Sequence, residues 1–145
     1  MEKPMINGRQ YEWADISIYL GGRMVIGARG IKYKESQDKE LLYAKGNRPL
    51  SIQKGNIKYE GSIVLLQSEV ETLKELARSV RGRASVLDLN LNAVVCYGDP
   101  SKGDPMLTDM IYNIQFTEAE KGGNQGDKNM EITLPFICTD IKYAV

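Results

Sequence analysis

The chain contains no histidine. That absence removes the commonest general base, the usual proton acceptor beside a nucleophilic Ser or Cys, and the most frequent transition-metal ligand. Most enzyme chemistries and most metal centres lose their natural residues, and neither a catalytic set nor a cofactor is expected. Cysteine is scarce as well. Cys96 and Cys138 are the only two, both in apolar strand-like runs where a buried, reduced thiol is the usual state; a disulfide between them is allowed but not required. There is no net charge, with 19 basic against 19 acidic residues in 145, so nothing in the total favours nucleic acid or a lipid surface. No apolar run approaches the ~20 residues of a membrane-spanning helix, and the opening MEKPMINGRQ lacks the hydrophobic stretch of a secretory signal. Synthesis in the cytoplasm, with no membrane partner, is the expectation.

What is present fits one domain. A chain of 145 residues with 42% hydrophobic content builds one modest core. The charge is uneven along it: residues 1–67 hold 11 Lys and Arg against 7 Asp and Glu, and residues 68–145 hold 8 against 12, or +4 and −4. Such a split suits complementary surfaces on a head-to-tail neighbour, and scattered solvated charge explains it equally well.

Hydrophobic periodicity predicts strands almost throughout. Residues 9–20 alternate through Ile16, Ile18 and Leu20 before Gly21-Gly22 closes a hairpin. IKYKESQDKELLYAK alternates Ile31, Tyr33, Leu41 and Tyr43 with charge, and reads as a long exposed hairpin over about 31–48 whose polar tip is 35–40. Ile57, Tyr59, Ile63 and Leu65 mark a half-buried strand. The period then changes. Ser68 with Glu71 predicts a capping box, and Val70, Leu73, Leu76, Ala77 and Val80 form the apolar stripe of a helix over 69–80, ending at Gly82. Three more strands are expected over 85–97, 106–118 and 130–143, the second with Met110, Tyr112, Ile114 and Phe116 on one face. Pro135 places the third at an edge or a bulge. Seven or eight strands, hairpin turns and one helix predict a mainly β (α+β) antiparallel sandwich or barrel with one flanking α-helix.

Four chemical readings compete poorly with structural ones. GGRMVIGARG lacks the glycine order of a phosphate loop and opens no helix. Asp99, Asp104 and Asp127 stand in turn-forming loops that do not match a calcium loop. Arg81 and Arg83 follow a helix C-terminus, the wrong end for an anion. Tyr11, Trp13, Tyr19, Tyr33, Tyr43 and Tyr59 interleave with Lys and Arg as in single-strand nucleic-acid binders, yet equally as in strands facing a core or a subunit interface.

Residues 44–76, AKGNRPLSIQKGNIKYEGSIVLLQSEVETLKEL, combine Gly46, Asn47 and Pro49, a Q-K-G-N turn at 53–56, a Y-E-G strand at 59–61 and L-Q-S-E leading into the helix. With INGRQYEWADISIYLGG upstream, this resembles the tail tube proteins of phages and phage-like elements, in particular the contractile-tail tube subunits of bacterial prophages, related to the type VI secretion tube protein. The likeness covers the first half to two-thirds of the chain and weakens after Gly82. It implies a virion tail protein that self-assembles into hexameric rings stacked as a hollow tube for genome delivery. Tape-measure, sheath and tail-terminator proteins are the implied partners, and DNA passes the lumen without specific binding. A tube from a secretion or bacteriocin-like contractile particle fits the same residues, and a monomeric ligand-binding β-barrel is the alternative of another class.

Within that reading, Tyr33, Lys34, Lys39, Leu41, Leu42, Tyr43 and Lys45 are the candidate ring-stacking arm, against the alternative of an ordinary surface hairpin. Asp88, Asn90, Asn92, Asp109, Asn113 and Gln115 are the candidate lumen face, because they offer acceptors and acids and no Lys or Arg; an outer solvated face is the alternative. Ser68, Val70, Glu71, Leu73, Ala77 and Val80 are expected to serve the helix structurally.

Overall fold

The computed structural model describes residues 16–98, 103, 106–121 and 130–145, and the backbone alone of 5–6 and 9–10. Two short strands, β1 (Met5–Ile6) and β2 (Arg9–Gln10), pair with each other. The body is one antiparallel sheet of eight strands: β3 (Ile16–Leu20), β4 (Arg23–Met24), β5 (Ala28–Tyr43), β6 (Pro49–Leu66), β7 (Leu91–Tyr97), β8 (Leu107–Phe116), β9 (Glu131–Cys138) and β10 (Asp140–Lys142). Their order across the sheet is β4-β3-β7-β8-β9-β6-β5, with β10 beside β8. One helix, α1 (Gln67–Arg81), follows β6. Ile18 and Val95 from one half of the sheet share a single buried cluster with Ile63 and Leu134 from the other and with Val70, Leu73 and Ala77 of the helix. A sheet whose two halves line one core must fold over on it, so the predicted mainly β architecture with one flanking helix is present.

Local chemistry explains the turns and the helix. Gly21 and Gly22 have φ of 63° and 85°, the backbone that a two-residue hairpin needs, and they join β3 to β4. Gly82 ends α1, its N–H donating to the Arg78 carbonyl at 2.9 Å. The expected capping box is absent. Leu66 occupies the N-cap without a side-chain bond, Ser68 lies inside the helix, and Glu71 instead pairs with Lys74 and Lys121, both at 3.7 Å. Residues just before β9 and β5 order the helix entry: the Gln67 N–H donates to the Met130 carbonyl and the Leu66 N–H to the Gly27 carbonyl. Glu69 accepts from Arg23 at 2.6 Å and from Gly27 N–H at 3.3 Å. The stripe is also narrower than its sequence pattern, because Leu76 and Val80 are exposed.

Four further expectations change. The run 85–90 is not strand: Ser85 caps a 3-10 turn, Val86–Asp88, which buries Val86 and exposes Leu87. The run 130–143 breaks at Thr139 into β9 and β10. Pro135 is not on an edge strand, since β9 lies between β6 and β8; however, β8 pairs with β9 only through Gln115 and Phe116, and Pro135 stands just beyond them, its carbonyl accepting from Thr117. In β8, Asn113 adopts φ of 59° and forms a bulge opposite Asn92. One extra residue reverses the alternation, so Ile111 is buried before the bulge and Ile114 and Phe116 after it, while Met110 and Tyr112 face the other way.

Candidate assembly interface

The run from Ile31 does not turn at 35–40. β5 continues straight through those residues to Tyr43, the chain reverses at 44–48, and β6 returns beside it to Leu66. The Q-K-G-N residues make no turn either. They form a bulge in β6, with Gly55 and Asn56 opposite Asp38 and the Gln37 amide donating to the Gly55 carbonyl at 3.0 Å. β9 pairs with β6 only from Tyr59 inward. Among the described residues, 36–43 and 49–58 therefore pair only with each other, as a two-stranded ribbon reaching roughly 25 Å beyond the sheet at ~3.3 Å per residue.

The register assigns the ribbon two unlike faces, since cross-strand partners share a face. One carries Lys34 opposite Glu60, Ser36 opposite Lys58, Glu40 opposite Gln53 and Leu42 opposite Ser51. The other runs Ile31/Ile63, Tyr33/Gly61, Glu35/Tyr59, Gln37/Ile57, Lys39/Lys54, Leu41/Ile52 and Tyr43/Pro49. At its root this second face is the core itself, where Ile63 is 2% exposed. Farther out, Ile57, Leu41, Ile52 and Tyr43 are 51–56% exposed. The core-facing side of the sheet thus continues onto an uncovered apolar strip. Covering it contributes on the order of 1–2 kcal/mol per side chain before the cost of association.

The expected arm residues divide between root and ribbon. Tyr33 belongs to the body: its hydroxyl bonds Tyr97 and Asp109, and its ring stacks on Tyr143 at 6.2 Å. Burial first, and then those hydrogen bonds, hold the Tyr33 hydroxyl well above the ordinary tyrosine range. Lys34 pairs with Glu60 at 3.2 Å. Lys39, Leu41, Leu42, Tyr43 and Lys45 are exposed on the ribbon and its tip. Sequence reasoning missed Leu50 and Ile52, and it placed Ile57 in a half-buried strand; all three are exposed apolar residues of the returning strand. A signal existed: the apolar positions Ile31, Tyr33, Leu41 and Tyr43 are all odd, a phase that a turn at 35–40 would be free to reset.

The six candidate lumen residues do not form one face. Asp88 sits in the 3-10 turn, half-buried, and Asn90 lies between that turn and β7. Asn92 is exposed on β7 and accepts from the Asn113 N–H at 2.9 Å. Asp109 lies inward against Tyr33, and Gln115 is exposed. Both cysteines are free and half-buried, and burial, helped by Asp140, pushes the Cys138 thiol up to about 11. Among the described residues no group of three or more Cys, Asp or Glu stands ready for a metal; Asp99, Asp104, Asp127, Tyr11 and Trp13 lie outside them.

No protein-family model and no curated protein matches the chain. Solved structures do. Over 97% of its length the chain superposes on the whole of a chain from the sheath/tube terminator of an extracellular contractile injection system, PVC, in the extended state, with TM-score 0.70 and 10% identity. The chain has a tail-tube-like fold. A chain of the sheath-tube complex of the same kind of particle gives TM-score 0.67 and 11% identity over 96% of this chain and 95% of that one. A chain from the virion of a native gene transfer agent particle gives 0.58 and 8% over 92% and 98%. With identities near one residue in ten, the likeness is one of fold.

Proposed function

We propose that this protein is a structural subunit of a phage or phage-like tail, a tube subunit whose copies close into hexameric rings and stack into a hollow conduit for genome delivery. It acts in the virion tail after synthesis in the bacterial cytoplasm, beside sheath, terminator and tape-measure partners. The observation that carries this reading is the uncovered ribbon: a sheet's core face extended as an apolar strip is built to be covered by another chain. The fold it shares along nearly the full chain with components of contractile particles supports the same role. Its mechanism is geometric. The ribbon of one subunit lies on a different surface of the next, and such a heterologous contact propagates instead of closing on itself as a dimer.

A second reading concerns cargo. The extracellular injection particles among the similar structures favour a secretion or bacteriocin-like tube, with the same subunit geometry and a payload other than a genome. Negative-stain microscopy of the concentrated protein tests the shared claim: rings or tubes are expected, and a monodisperse monomer at every concentration contradicts both readings and favours a ligand-binding barrel.

A further inference from the structure

The ribbon's apolar strip contains one discordant pair. Lys39 and Lys54 stand directly opposite each other in the register, between Gln37/Ile57 on one side and Leu41/Ile52 on the other. Like charges at directly opposed positions destabilise a strand pair. At the root of the same strand pair, by contrast, Lys34 stands opposite Glu60 at 3.2 Å. Lys39 and Lys54 are both exposed and have no ion pair among the described residues. Lys39 also borders a shallow concavity of about 340 Å³, lined with it by Glu35, Ser36, Gln37 and Ile57.

Covering the strip strips water from two neighbouring ammonium groups, which is costly unless the covering surface brings opposite charge. The occupant must therefore carry carboxylates. Several acidic side chains outside β5 and β6 are already engaged: Glu69 with Arg23, Glu71 with Lys74 and Lys121, Glu75 with Arg78, and Glu131 with Arg29. Outside β5 and β6, the exposed carboxylates without an ion pair among the described residues are Glu118 and Glu120, two positions apart in the segment that follows β8.

We propose that Lys39 and Lys54 on the ribbon of one copy receive Glu118 and Glu120 of a second copy, so that two cations meet two anions inside an otherwise apolar contact. The inference rests on the ribbon being the assembly surface and adds what it binds. Donor and receiver are separate patches of one chain, so each copy receives one neighbour and is received by another, as a stack requires. The lysine pair then acts as a specificity device: an apolar strip alone accepts any greasy surface, whereas this one disfavours a neighbour lacking acid at that point.

Charge exchange tests it on the full-length chain. Lys39→Glu/Lys54→Glu and Glu118→Lys/Glu120→Lys are each expected to melt near wild type and to raise the concentration needed for assembly by about tenfold or more in sedimentation velocity. The chain carrying all four changes restores the attraction with reversed sign and is expected to assemble near the wild-type concentration, as is an equimolar mixture of the two double variants. Double variants that assemble like wild type, or a fourfold variant that fails to recover, overturn the pairing. Should a reversal fail to fold, Lys39→Gln/Lys54→Gln replaces it, with a raised threshold expected and an unchanged one overturning the proposal. Leu41→Asp/Ile52→Asp separates the two levels of the argument. Loss of assembly there alongside normal assembly of the charge variants removes only the Lys–Glu pairing; normal assembly of both removes the ribbon reading itself.

Discussion

Tyr33 on β5 and Asp109 on β8, 76 positions apart, share a hydrogen bond in which the hydroxyl donates to Oδ2. The other carboxylate oxygen accepts from the Ala144 N–H at 2.9 Å. With its own proton given to Asp109, the Tyr33 oxygen accepts from the Tyr97 hydroxyl. β5 and β8 are not neighbours in the sheet, so this chain of bonds crosses the fold and fastens the root of the ribbon to the opposite half. Tyr33→Phe keeps the ring and leaves the inward oxygen of Asp109 without its donor. Urea denaturation is expected to show a loss of about 1–3 kcal/mol; an unchanged midpoint would mean that the network contributes nothing.

The same hydroxyl makes stability depend on alkaline pH. An unfolded tyrosine ionises near pH ~10, while burial and the bonds to Asp109 and Tyr97 keep Tyr33 protonated well above that in the folded chain. Above pH ~10 the unfolded state therefore binds fewer protons than the folded one, and stability falls as pH rises. The melting temperature is expected to hold to about pH 9 and then decline. Tyr33→Phe should decline less steeply, and parallel curves would assign the effect to other groups.

Gly61, the last residue of the Y-E-G run, pairs with Tyr33 and faces Phe136. A Cβ there would collide with the Lys32 carbonyl oxygen and stand 2.8 Å from Phe136 Cζ and 2.9 Å from Tyr33 Cα. Two of those three neighbours are backbone and yield little. Gly61→Ala is expected to cost about 1–3 kcal/mol by overpacking, read as a lower melting temperature; a wild-type melt would show that the two strands separate there freely.

Leu73 is 4% exposed on the buried side of α1. Leu73→Ala should lower stability by about 2–5 kcal/mol and leave assembly intact at temperatures well below its melt. A normal melt with poor assembly would instead make that helix face an interface.

The sequence displayed whatever a local period encodes and concealed what a distant segment supplies. Val70, Leu73 and Ala77 repeat at helical spacing and Gly82 stops them, so α1 was legible. Its start was not, because Gly27 and Met130 satisfy the backbone there in place of Ser68 and Glu71. In β8 the alternation Met110, Tyr112, Ile114, Phe116 looks unbroken, and only the left-handed turn of Asn113 reveals that the first two and last two face opposite ways. Asn tolerates that conformation better than most residues, a faint signal. The ribbon was half legible. KESQDKE is polar enough to pass for a turn, yet in a ribbon without sheet neighbours one face is polar apart from Leu42 and the other needs apolar side chains only where a partner sits.

The central claim is that the ribbon assembles the protein and is dispensable to the body. Replacing residues 40–53 by Asn-Gly joins Lys39 to Lys54 through a two-residue hairpin that keeps the register of the root. Negative-stain images and the melting temperature of this shortened chain, beside those of the full chain, give the most direct test. A near-normal melt with no rings or tubes, where the full chain forms them, is the predicted result. Tubes from the shortened chain would contradict the account.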